Sequence, residues 1–418
     1  MPKLSETFVL RELTALHAQG FPLEVWTLVP GDPAEAAKVP EFAAIAGLVR
    51  AVPAGPRGLL RMALTLLLLL VRRPVRTLRA VAWAIRWSAH DRDPRQVAAL
   101  PYAAWLATRA HGRHFHAHFA NTPATTALLA AMLSAPPRTA SFTGHARDLY
   151  TATSRAFLRE KLGRAAFAVV GTGVTEGFVR EVAPPDTEVV LARHGVEWSG
   201  DHDASRRGVE PGLVVGVGRL VEKKGFADLL LAVAAAAQRG GDVRMDAAAD
   251  QPAAVAPSTA PPGARLVLVG DGPLEGTLRD AAATLGIADR VEFLGAQSQQ
   301  QIADLLTRAA VFALPCVVDA DGDADTFPLA IVEAMRQGVP VLTTTVGEMG
   351  LVLEDGVTAR VVAPGEPEAL GAALRDLLDD PTRAETIGAA GRALAQRDYD
   401  TAKAVQPLAD AFRRVTAD

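Results

Sequence analysis

Residues 214–226 read VVGVGRLVEKKGF, and this stretch decides the fold of the second half of the chain. A run of β-branched residues ends in glycines, and Arg219 and Lys224 follow just before an apolar helical pattern. A strand, a glycine turn and a helix in this order are typical of parallel α/β sheets. Helix-terminal amides and two cations suit a diphosphate, since charge-assisted hydrogen bonds are worth about 1.5–3 kcal/mol each. A tight turn with two solvated cations remains the alternative, because the third glycine of the dinucleotide fingerprint is missing.

Strand-like and helical segments alternate from this stretch to residue 379, which predicts a parallel sheet covered by helices on both faces. The strand-like segments are LVVGVGRL (213–220), RLVLVGDG (265–272), VEFLG (291–295), VFALPCVV (311–318), PVLTTT (340–345) and ARVVAPG (359–365). The helical patterns cover about 226–238, 274–285, 328–338 and 367–379. The Ala/Pro-rich tract 242–263 has little to bury and is predicted to be a mobile surface insertion.

The first half shows the same alternation, but it opens on a helix pattern at residues 5–20. The strand-like segments that follow are PLEVWTLVP (22–30), HFHAHFA (114–120), RTASFTGH (138–145), AFAVVGTG (166–173) and TEVVLARHGVEW (187–198). In a doubly wound domain the first strand precedes the first helix, so we expect that strand to be missing. The predicted division is a first domain at 1–198, a linker at 199–211, a second domain at 212–390 and a helical segment at 391–418 that packs back toward the first domain.

Composition excludes several classes of protein. The 418 residues are 49% hydrophobic and carry 43 Lys plus Arg against 47 Asp plus Glu, a formal net charge of -4. Such a chain can bury substantial cores, and its charge balance argues against nucleic-acid binding through bulk charge. A single cysteine, Cys316, rules out an internal disulfide and a cysteine zinc cluster. The start MPKLSETFV has no apolar signal core, so we expect a cytoplasmic globular protein.

The longest apolar run is MALTLLLLLV, residues 62–71. Ten helical residues span about 15 Å, roughly half of a hydrocarbon core of about 30 Å, so the run does not cross a membrane. Arginines flank it at Arg57, Arg61, Arg72, Arg73, Arg76 and Arg79. One reading is an interfacial helix in peripheral contact with anionic lipid at the inner face of the cell membrane. The other is a core helix with a solvated basic edge, which the uniform apolarity favours.

A second cluster of polar residues lies in ADGDADTFPLAIVEAMRQGVPVLTT, residues 320–344. Asp325 and Glu333 stand eight apart, one at the end of a loop and one in the following helix, so both can face the carboxyl ends of the strands. Carboxylates at that edge suit sugar and ribose hydroxyls. The run of aspartates at 319, 321, 323 and 325 is not an EF-hand, because the glycine at its sixth position and the glutamate at its twelfth are absent.

Four histidines, at 111, 114, 116 and 118, invite a metal interpretation. On a strand the last three share a face, where neighbouring side chains point roughly parallel and do not converge as tetrahedral zinc requires. We therefore predict packing and site-lining roles for them, and no metal.

The ordered segments GRLVEKKGF, LVLVGDGPL, VEFLG and DTFPLAIVEAMRQGVPV resemble the carboxyl-terminal domain of family 4 glycosyltransferases, which are retaining enzymes. In the first half, PKLSETFVLREL, HAHFA, SFTGHARDLY and ARHGVEW are similar to the branch that builds bacterial exopolysaccharides of the colanic-acid type. The resemblance implies an α/β chain of the GT-B fold, with two doubly wound Rossmann-like domains facing across a cleft.

The resemblance also implies site residues. Arg219 and Lys224 would hold the diphosphate of a nucleotide-sugar donor, and Glu333 would hold the ribose. Asp325 would lie beside the donor sugar, and His145 would contact that sugar near its reacting carbon. Other positions implied to bind donor or line the site are Gly218, Gly270, Gly272, Phe327, Pro328, His194 and Gly195.

One position departs from the family pattern. The family more often has Glu followed by Gly where this chain has Asp325 and Thr326. A side chain one methylene shorter leaves the role of Asp325 open and is expected to alter which sugar fits.

The implied reaction transfers a hexosyl group from a nucleoside diphosphate sugar to a saccharide or lipid-linked saccharide acceptor, with retained configuration and without a metal or other cofactor. Two alternatives stay open at this point. A GT-B nucleotide-sugar epimerase would release product without an acceptor, and a non-catalytic sugar-nucleotide or lipid-binding scaffold would bind donor without turnover.

Overall fold

The computed structural model describes residues 7–29, 40–198, 208–237 and 263–417. Contacts divide the chain into unit 1, Met1–Glu197 with Asp398–Asp418, and unit 2, Trp198–Arg397. The last helices therefore group with unit 1 from residue 398, whereas the sequence-based division was placed at 391. Most of the predicted linker and nearly all of the Ala/Pro-rich tract lie outside the described residues.

Unit 1 contains two parallel sheets among its described residues. The first pairs β1 with β2, and the second has the consecutive order β3, β4, β5, β6. These strands are β1 (Val25–Thr27), β2 (Val49–Ala51), β3 (His114–His118), β4 (Thr139–Gly144), β5 (Ala168–Val170) and β6 (Val189–Leu191). The strands predicted in the first half are confirmed. The structure adds β2, which the sequence did not predict because a strand of three residues is too short to show an alternation of apolar and polar side chains.

The helices of unit 1 cover these sheets, and the first of them confirms the predicted opening helix. They are α1 (Thr7–Ala18), α2 (Pro40–Ile45), α3 (Gly55–Arg72), α4 (Pro74–Asp91), α5 (Arg95–Arg109), α6 (Thr122–Leu133), α7 (Ala146–Tyr150), α8 (Arg155–Arg164) and α9 (Gly173–Val182). The C-terminal segment adds α17 (Thr401–Ala404) and α18 (Gln406–Thr416). In α18, Phe412 packs with Phe167 of unit 1, which seals the sheet from that side.

Unit 2 has one six-stranded parallel sheet in the order β12, β11, β10, β7, β8, β9. Its strands are β7 (Leu213–Val217), β8 (Arg265–Val269), β9 (Val291–Phe293), β10 (Val311–Leu314), β11 (Val341–Thr344) and β12 (Arg360–Val362). Every residue of β7 and β10 is buried, as strands covered on both faces require. The strand order reverses between β7 and β10, and ligands of doubly wound sheets bind outside the carboxyl ends of the strands at such a point.

The helices of unit 2 alternate with these strands as the sequence predicts. They are α10 (Phe226–Ala237), α11 (Glu275–Thr284), α12 (Gln299–Arg308), α13 (Leu329–Arg336), α14 (Met349–Val352), α15 (Pro367–Asp379) and α16 (Pro381–Asp398). Four of them, α10, α11, α13 and α15, confirm the helices predicted from the apolar periodicity.

The apolar run at 62–71 lies in α3 and is not the buried helix that the sequence favours. Met62 and Leu69 are buried, whereas Leu64, Leu67 and Val71 are 54%, 58% and 80% exposed. The sequence could not show this, because a helix that is apolar on every side has no hydropathy contrast to mark its buried face.

No helix within the described ranges is both long and apolar enough to span a membrane.

Candidate functional site

The loops that follow β7 and β10 pack against each other at the point where the strand order reverses. Gly225 ends the first loop with φ +67°, and a Cβ at this position would lie 1.8 Å from the carbonyl oxygen of Pro315 in the second. Only glycine tolerates both that backbone conformation and that approach. The close fit places Lys224 beside the loop that carries Asp325.

Four charged side chains form a cluster there. The Nζ atom of Lys224 lies 2.6 Å from Oδ2 of Asp325, and Nζ of Lys223 lies 3.2 Å from Oδ1 of Asp325 and 3.0 Å from Oδ2 of Asp323. Burial raises the pKa of Asp325, but the two ammonium groups outweigh it and hold the pKa below the ordinary value of 3.8. For Lys223, burial alone would lower the pKa. The nearby carboxylates of Asp325 and Asp323 outweigh burial, so the pKa of Lys223 lies above its ordinary value. Asp325 and Lys223 are therefore both charged at neutral pH.

The sequence prediction did not include Lys223 or Asp323. The sequence shows Lys223 and Lys224 side by side before α10. It does not show that both side chains contact the loop that carries Asp323 and Asp325. The aspartate run shapes that loop, since Oδ1 of Asp319 accepts hydrogen bonds from the backbone N–H groups of Asp321 at 3.1 Å and Asp323 at 2.8 Å.

The glycines of the site hold the loops after β7 and β8 backbone to backbone. A Cβ on Gly270, which has φ +129°, would lie 2.0 Å from the carbonyl oxygen of Gly218, and one on Gly272 would lie 2.4 Å from that of Leu220. The N–H of Leu220 donates to the carbonyl of Asp271 at 2.8 Å. Gly270 and Gly272 thus have a packing role that any side chain would disrupt.

The remaining predicted residues of unit 2 lie on the same edge of the sheet. Arg219 is exposed directly after β7, and Glu333 is partly buried within α13. Pro328 is the N-cap residue of α13 and follows Phe327. The loop after β11 fixes the backbone just before Phe327, because the N–H of Glu348 donates to the carbonyl of Thr326 at 2.8 Å.

In unit 1, His145 follows β4 at the carboxyl edge of its sheet and begins α7. Its N–H donates to Oδ1 of Asp148 at 2.8 Å, as in a helix cap. The other carboxylate oxygen of Asp148 accepts from the N–H of Ala120, and Nζ of Lys161 donates to the carbonyl of Ala120 at 2.7 Å. Burial raises the pKa of Asp148 to about 6. Asp148 and Lys161 therefore position the loop of His145. The sequence prediction did not include either residue, and the only hint of the cap in the sequence is that Asp148 stands three positions after His145.

The imidazole of His145 belongs to a buried aromatic cluster. Its Nδ1 lies 3.3 Å from Nε2 of His194, and the ring of Phe8 lies 4.9 Å and 4.6 Å from the two imidazole centroids. Burial lowers the pKa of His145 well below 6.5 and that of His194 to about 4, so both rings are neutral at pH 7. Among the described residues, the buried Nε2 of His145 has no hydrogen-bond partner, which leaves it available to a ligand.

Two glycines fix the position of His194. A Cβ on Gly171 would lie 2.9 Å from Nε2 of His194, and one on Gly195 would lie 2.5 Å from Cα of Thr401 in the C-terminal segment. Gly195 is therefore a contact between the two ends of unit 1, a role that the sequence did not reveal.

A second histidine group lies on β3. Glu12, His116 and His118 could together hold a metal ion, since their ligand atoms lie within 4.8 Å of one another. The ring centroids of His116 and His118 lie 5.4 Å apart, and the ring planes are at 84° to each other. Both ring nitrogens of His116 already meet hydroxyls, Ser141 at 2.7 Å and Thr143 at 2.9 Å, and Nε2 of His118 pairs with Glu12 at 3.1 Å. Hydroxyls and Glu12 thus set the ring orientations, and the absence of a metal cofactor stays a prediction.

Unit 1 also contains a polar cavity of about 560 Å³ between the α4–α5 and α7–α8 turns. Asp91, Asp93, Gln96 and Tyr150 line it, and Ser154 Oγ donates to Asp91 at 2.8 Å. Thr153 lines it too, and its buried hydroxyl makes no hydrogen bond within the part of the chain that the structure describes. Carboxylates, an amide, a hydroxyl and an aromatic ring together suit a polyhydroxylated ligand.

Comparison with known proteins finds similar glycosyltransferases. Residues 201–394 match the family described as Glycosyl transferases group 1. The chain is 25% identical over 410 residues to the putative colanic acid biosynthesis glycosyltransferase WcaL of Salmonella typhimurium, covering 94% of this chain and 93% of that protein. It is 27% identical over 206 residues to the amylovoran biosynthesis glycosyltransferase AmsK of Erwinia amylovora, covering 49% of this chain and 46% of the relative.

Solved structures agree on the fold. Anabaena Alr3699/HepE in complex with UDP-glucose matches with a TM-score of 0.67 and 17% sequence identity, over 99% of this chain and 97% of that one. With parallel sheets in two Rossmann-like units, the chain has the GT-B fold, and its residues 201–394 are similar to group 1 glycosyl transferases.

Proposed function

We propose that this protein is a retaining hexosyltransferase of glycosyltransferase family 4 that uses a nucleoside diphosphate sugar as donor. The observation that carries the proposal is the ion pair in which Nζ of Lys224 lies 2.6 Å from Oδ2 of Asp325, where the loops after β7 and β10 meet. A half-buried lysine held by one carboxylate can exchange part of that interaction for a phosphate oxygen without leaving a charge unpaired.

The diphosphate is proposed to bind Lys224 and Arg219, and the ribose to bind Glu333. In the reaction, the bond from the anomeric carbon to the phosphate oxygen breaks and a bond to the acceptor oxygen forms on the same face. The acceptor proton passes to the leaving phosphate, so no separate protein base is needed. Lys224 and Arg219 then stabilise charge that develops on the diphosphate, which is what lowers the barrier.

His145 is proposed to contact the donor sugar through Nε2. Its low pKa keeps the ring neutral, so it can donate or accept one hydrogen bond without introducing a charge. The contact with His194 and the cap on Asp148 hold the ring in place for this role.

The acceptor is proposed to be a saccharide, free or lipid-linked, in the biosynthesis of an exopolysaccharide or another cell-surface polysaccharide by a cytoplasmic enzyme. The names of the relatives WcaL and AmsK support this setting. We place acceptor recognition in the polar cavity of unit 1, because Thr153 offers a buried hydroxyl and Tyr150 an exposed ring for sugar stacking.

The test begins with a thermal-shift panel of UDP-, GDP-, ADP- and dTDP-hexoses, since a ligand that binds the folded state raises its melting temperature. The donor so identified is then incubated with alkyl hexosides as acceptors, and the product is analysed by proton NMR. We expect nucleoside diphosphate release that requires the acceptor and an anomeric proton of unchanged configuration. Free sugar without acceptor would indicate the epimerase, binding without consumption would indicate the scaffold, and an inverted product would refute the retaining mechanism.

A further inference from the structure

We propose that α3 and α4 of unit 1 form a docking surface for a membrane containing anionic lipids. This α3–α4 surface consists of exposed apolar side chains with arginines along their edge. The apolar members are Leu59, Leu60, Leu64, Leu67, Leu68, Leu70, Val71, Val75, Leu78 and Ile85.

The exposed and buried residues of α3 lie on opposite sides of the helix. At about 100° per residue, Leu60, Leu64, Leu67 and Val71 fall within about 60° of one another. Gly58, Met62 and Leu69 are buried on the far side, where α3 joins the core of unit 1. The helix is therefore apolar on two faces, and packing within unit 1 accounts for only one of them.

The next helix continues the same pattern after the break at Arg73. Val75, Leu78 and Ile85 are exposed on α4, while Trp83 and Trp87 are buried on its other side. Exposed apolar side chains that are scattered singly are common, but a set of them on two successive helices marks an interaction surface.

Charge identifies the partner. Residues 55–90 contain seven arginines and no aspartate or glutamate, although the whole chain has a net charge of -4. Six of the seven are exposed: Arg57, Arg61, Arg72, Arg76, Arg79 and Arg86. On α3, Arg57, Arg61 and Arg72 lie along one edge of the apolar stripe, so they can reach headgroups while the leucines enter the acyl boundary.

A second copy of the chain fits this surface poorly, since two sets of exposed arginines would face each other. An anionic bilayer satisfies both components at once, with phosphate groups for the arginines and acyl chains for the leucines. Because no described helix spans a bilayer, the contact is peripheral. The inference adds to the proposed function a location where a lipid-linked acceptor is available, but the surface itself does not depend on that function.

The test is flotation of the full chain with vesicles of phosphatidylcholine alone or with about 30% phosphatidylglycerol, at low and high salt. We expect retention on the anionic vesicles, weaker retention at high salt and little on the neutral ones. The double variant Leu64→Gln/Leu67→Gln should lower retention about tenfold, because it places amides in the acyl boundary. Arg57→Gln/Arg61→Gln should remove the preference for anionic lipid.

The matched control is Leu231→Gln/Leu351→Gln, which changes two leucines that are exposed on unit 2. It should float like the wild type. Circular dichroism checks the fold of each variant, and thermal shift with the donor checks the active site, so a failed donor site and a failed membrane surface give different results. The Leu64→Gln/Leu67→Gln and Arg57→Gln/Arg61→Gln variants should both keep the donor-induced shift.

Absence of wild-type retention on anionic vesicles would overturn the proposal. If the wild type were retained equally on neutral and anionic vesicles, the proposed role of the arginines would be overturned. If Leu64→Gln/Leu67→Gln were retained as well as the wild type, the membrane contact would lie elsewhere. Light scattering adds one further outcome: a wild-type dimer that Leu64→Gln/Leu67→Gln dissociates, with no lipid binding, would assign the surface to a second copy of the chain.

Discussion

The charges around Lys224 are balanced before any donor binds. Asp325 accepts from both Lys223 and Lys224, and Asp323 pairs with Lys223. A diphosphate that enters this cluster competes with Asp325 for the lysines. Under the proposed function, the carboxylate limits how tightly the diphosphate is held, which favours release of the nucleoside diphosphate product.

Asp325→Asn tests this competition. The substitution removes one negative charge and leaves the two ammonium groups with less compensation, so we expect nucleoside diphosphate to bind about fivefold to tenfold more tightly. Turnover should fall, because product release slows and the contact to the donor sugar changes. Isothermal titration of the nucleoside diphosphate measures the first effect; weaker binding by the variant would show that Asp325 supports the ligand rather than competing with it.

Tyr150→Ala tests the cavity of unit 1. Tyr150 is 39% exposed, and its ring packs on Phe178 with centroids 4.7 Å apart, so its removal takes away a sugar-stacking face without opening the core. We expect the KM for the acceptor to rise about tenfold, with the KM for the donor unchanged. A change in the donor KM alone would assign the cavity to the donor.

The positions of Lys224 and Asp325 after strands of the sheet, and of Glu333 in the following helix, were predictable from sequence because each lies in one segment with its strand or helix, and their roles stay a prediction. Lys161 and Asp148 were not, since they serve His145 only through a fold that brings Lys161 to the carbonyl of Ala120. Gly195 was predicted as a site residue, whereas its closest contact is the backbone of Thr401. Contacts of that kind join residues far apart in sequence, 41 positions for Ala120 and Lys161, and local pattern carries no information about them.

At the scale of elements, β7 and β10 are neighbours in the sheet, although almost a hundred residues separate the two strands in sequence. Their pairing brings together the loop that carries Lys224 and the loop that carries Asp325. Alternating helices and strands predicted a parallel sheet correctly. The same reasoning failed for α3, where both faces are apolar and only tertiary packing decides which is buried.

The strand β3 and the loop of His194 make unit 1 sensitive to acid. Burial lowers the pKa of His114 and of His194 to about 4, below the ordinary value of 6.5. Between these values the unfolded chain binds more protons than the folded one, so stability rises with pH and is lost as pH falls from 6.5 toward 4. Each histidine should cost about 2 kcal/mol at pH 5. The raised pKa of Asp148 makes stability fall as pH rises, which opposes the effect of the histidines, but Asp148 is one group against His114 and His194 together.

Urea unfolding followed by tryptophan fluorescence measures this effect. Four of the five tryptophans, at 26, 83, 87 and 105, lie in unit 1, so the signal reports mainly on that unit. We expect a lower midpoint at pH 5 than at pH 7.5, and a smaller difference in His114→Asn. Equal midpoints at the two pH values would show that the imidazoles are solvated.

At the scale of the whole molecule, unit 1 is closed by the far end of the chain. The N–H of Val196 donates to the carbonyl of Tyr399 at 2.8 Å, and the N–H of Thr401 donates to the carbonyl of Val196 at 3.1 Å. Gly195 permits this pairing, since it leaves space for the backbone of Thr401. Unit 1 is therefore discontinuous in sequence, and the final helices contribute to its core.

Gly195→Ala should weaken this closure. Its Cβ would lie 2.5 Å from Cα of Thr401, and backbone cannot yield as a flexible side chain does, so we expect a loss of about 1–3 kcal/mol in the free energy of unfolding. Gly177→Ala in α9 is the control, because its Cβ meets no described atom within 4 Å. There alanine should be neutral or stabilising by up to about 1 kcal/mol. Equal melting temperatures of the two variants would contradict the tight contact.

The most direct measurement of the central claim is the affinity of Lys224→Ala for the donor and its nucleoside diphosphate, determined by isothermal titration beside the wild type. Lys403→Ala, which removes an exposed lysine from α17 of unit 1, is the control for a general loss of positive charge. We expect the Lys224 variant to bind at least about tenfold more weakly, as loss of a charge-assisted hydrogen bond requires, and the Lys403 variant to bind like the wild type. Unchanged affinity of Lys224→Ala would contradict the assignment of the diphosphate to the loops after β7 and β10.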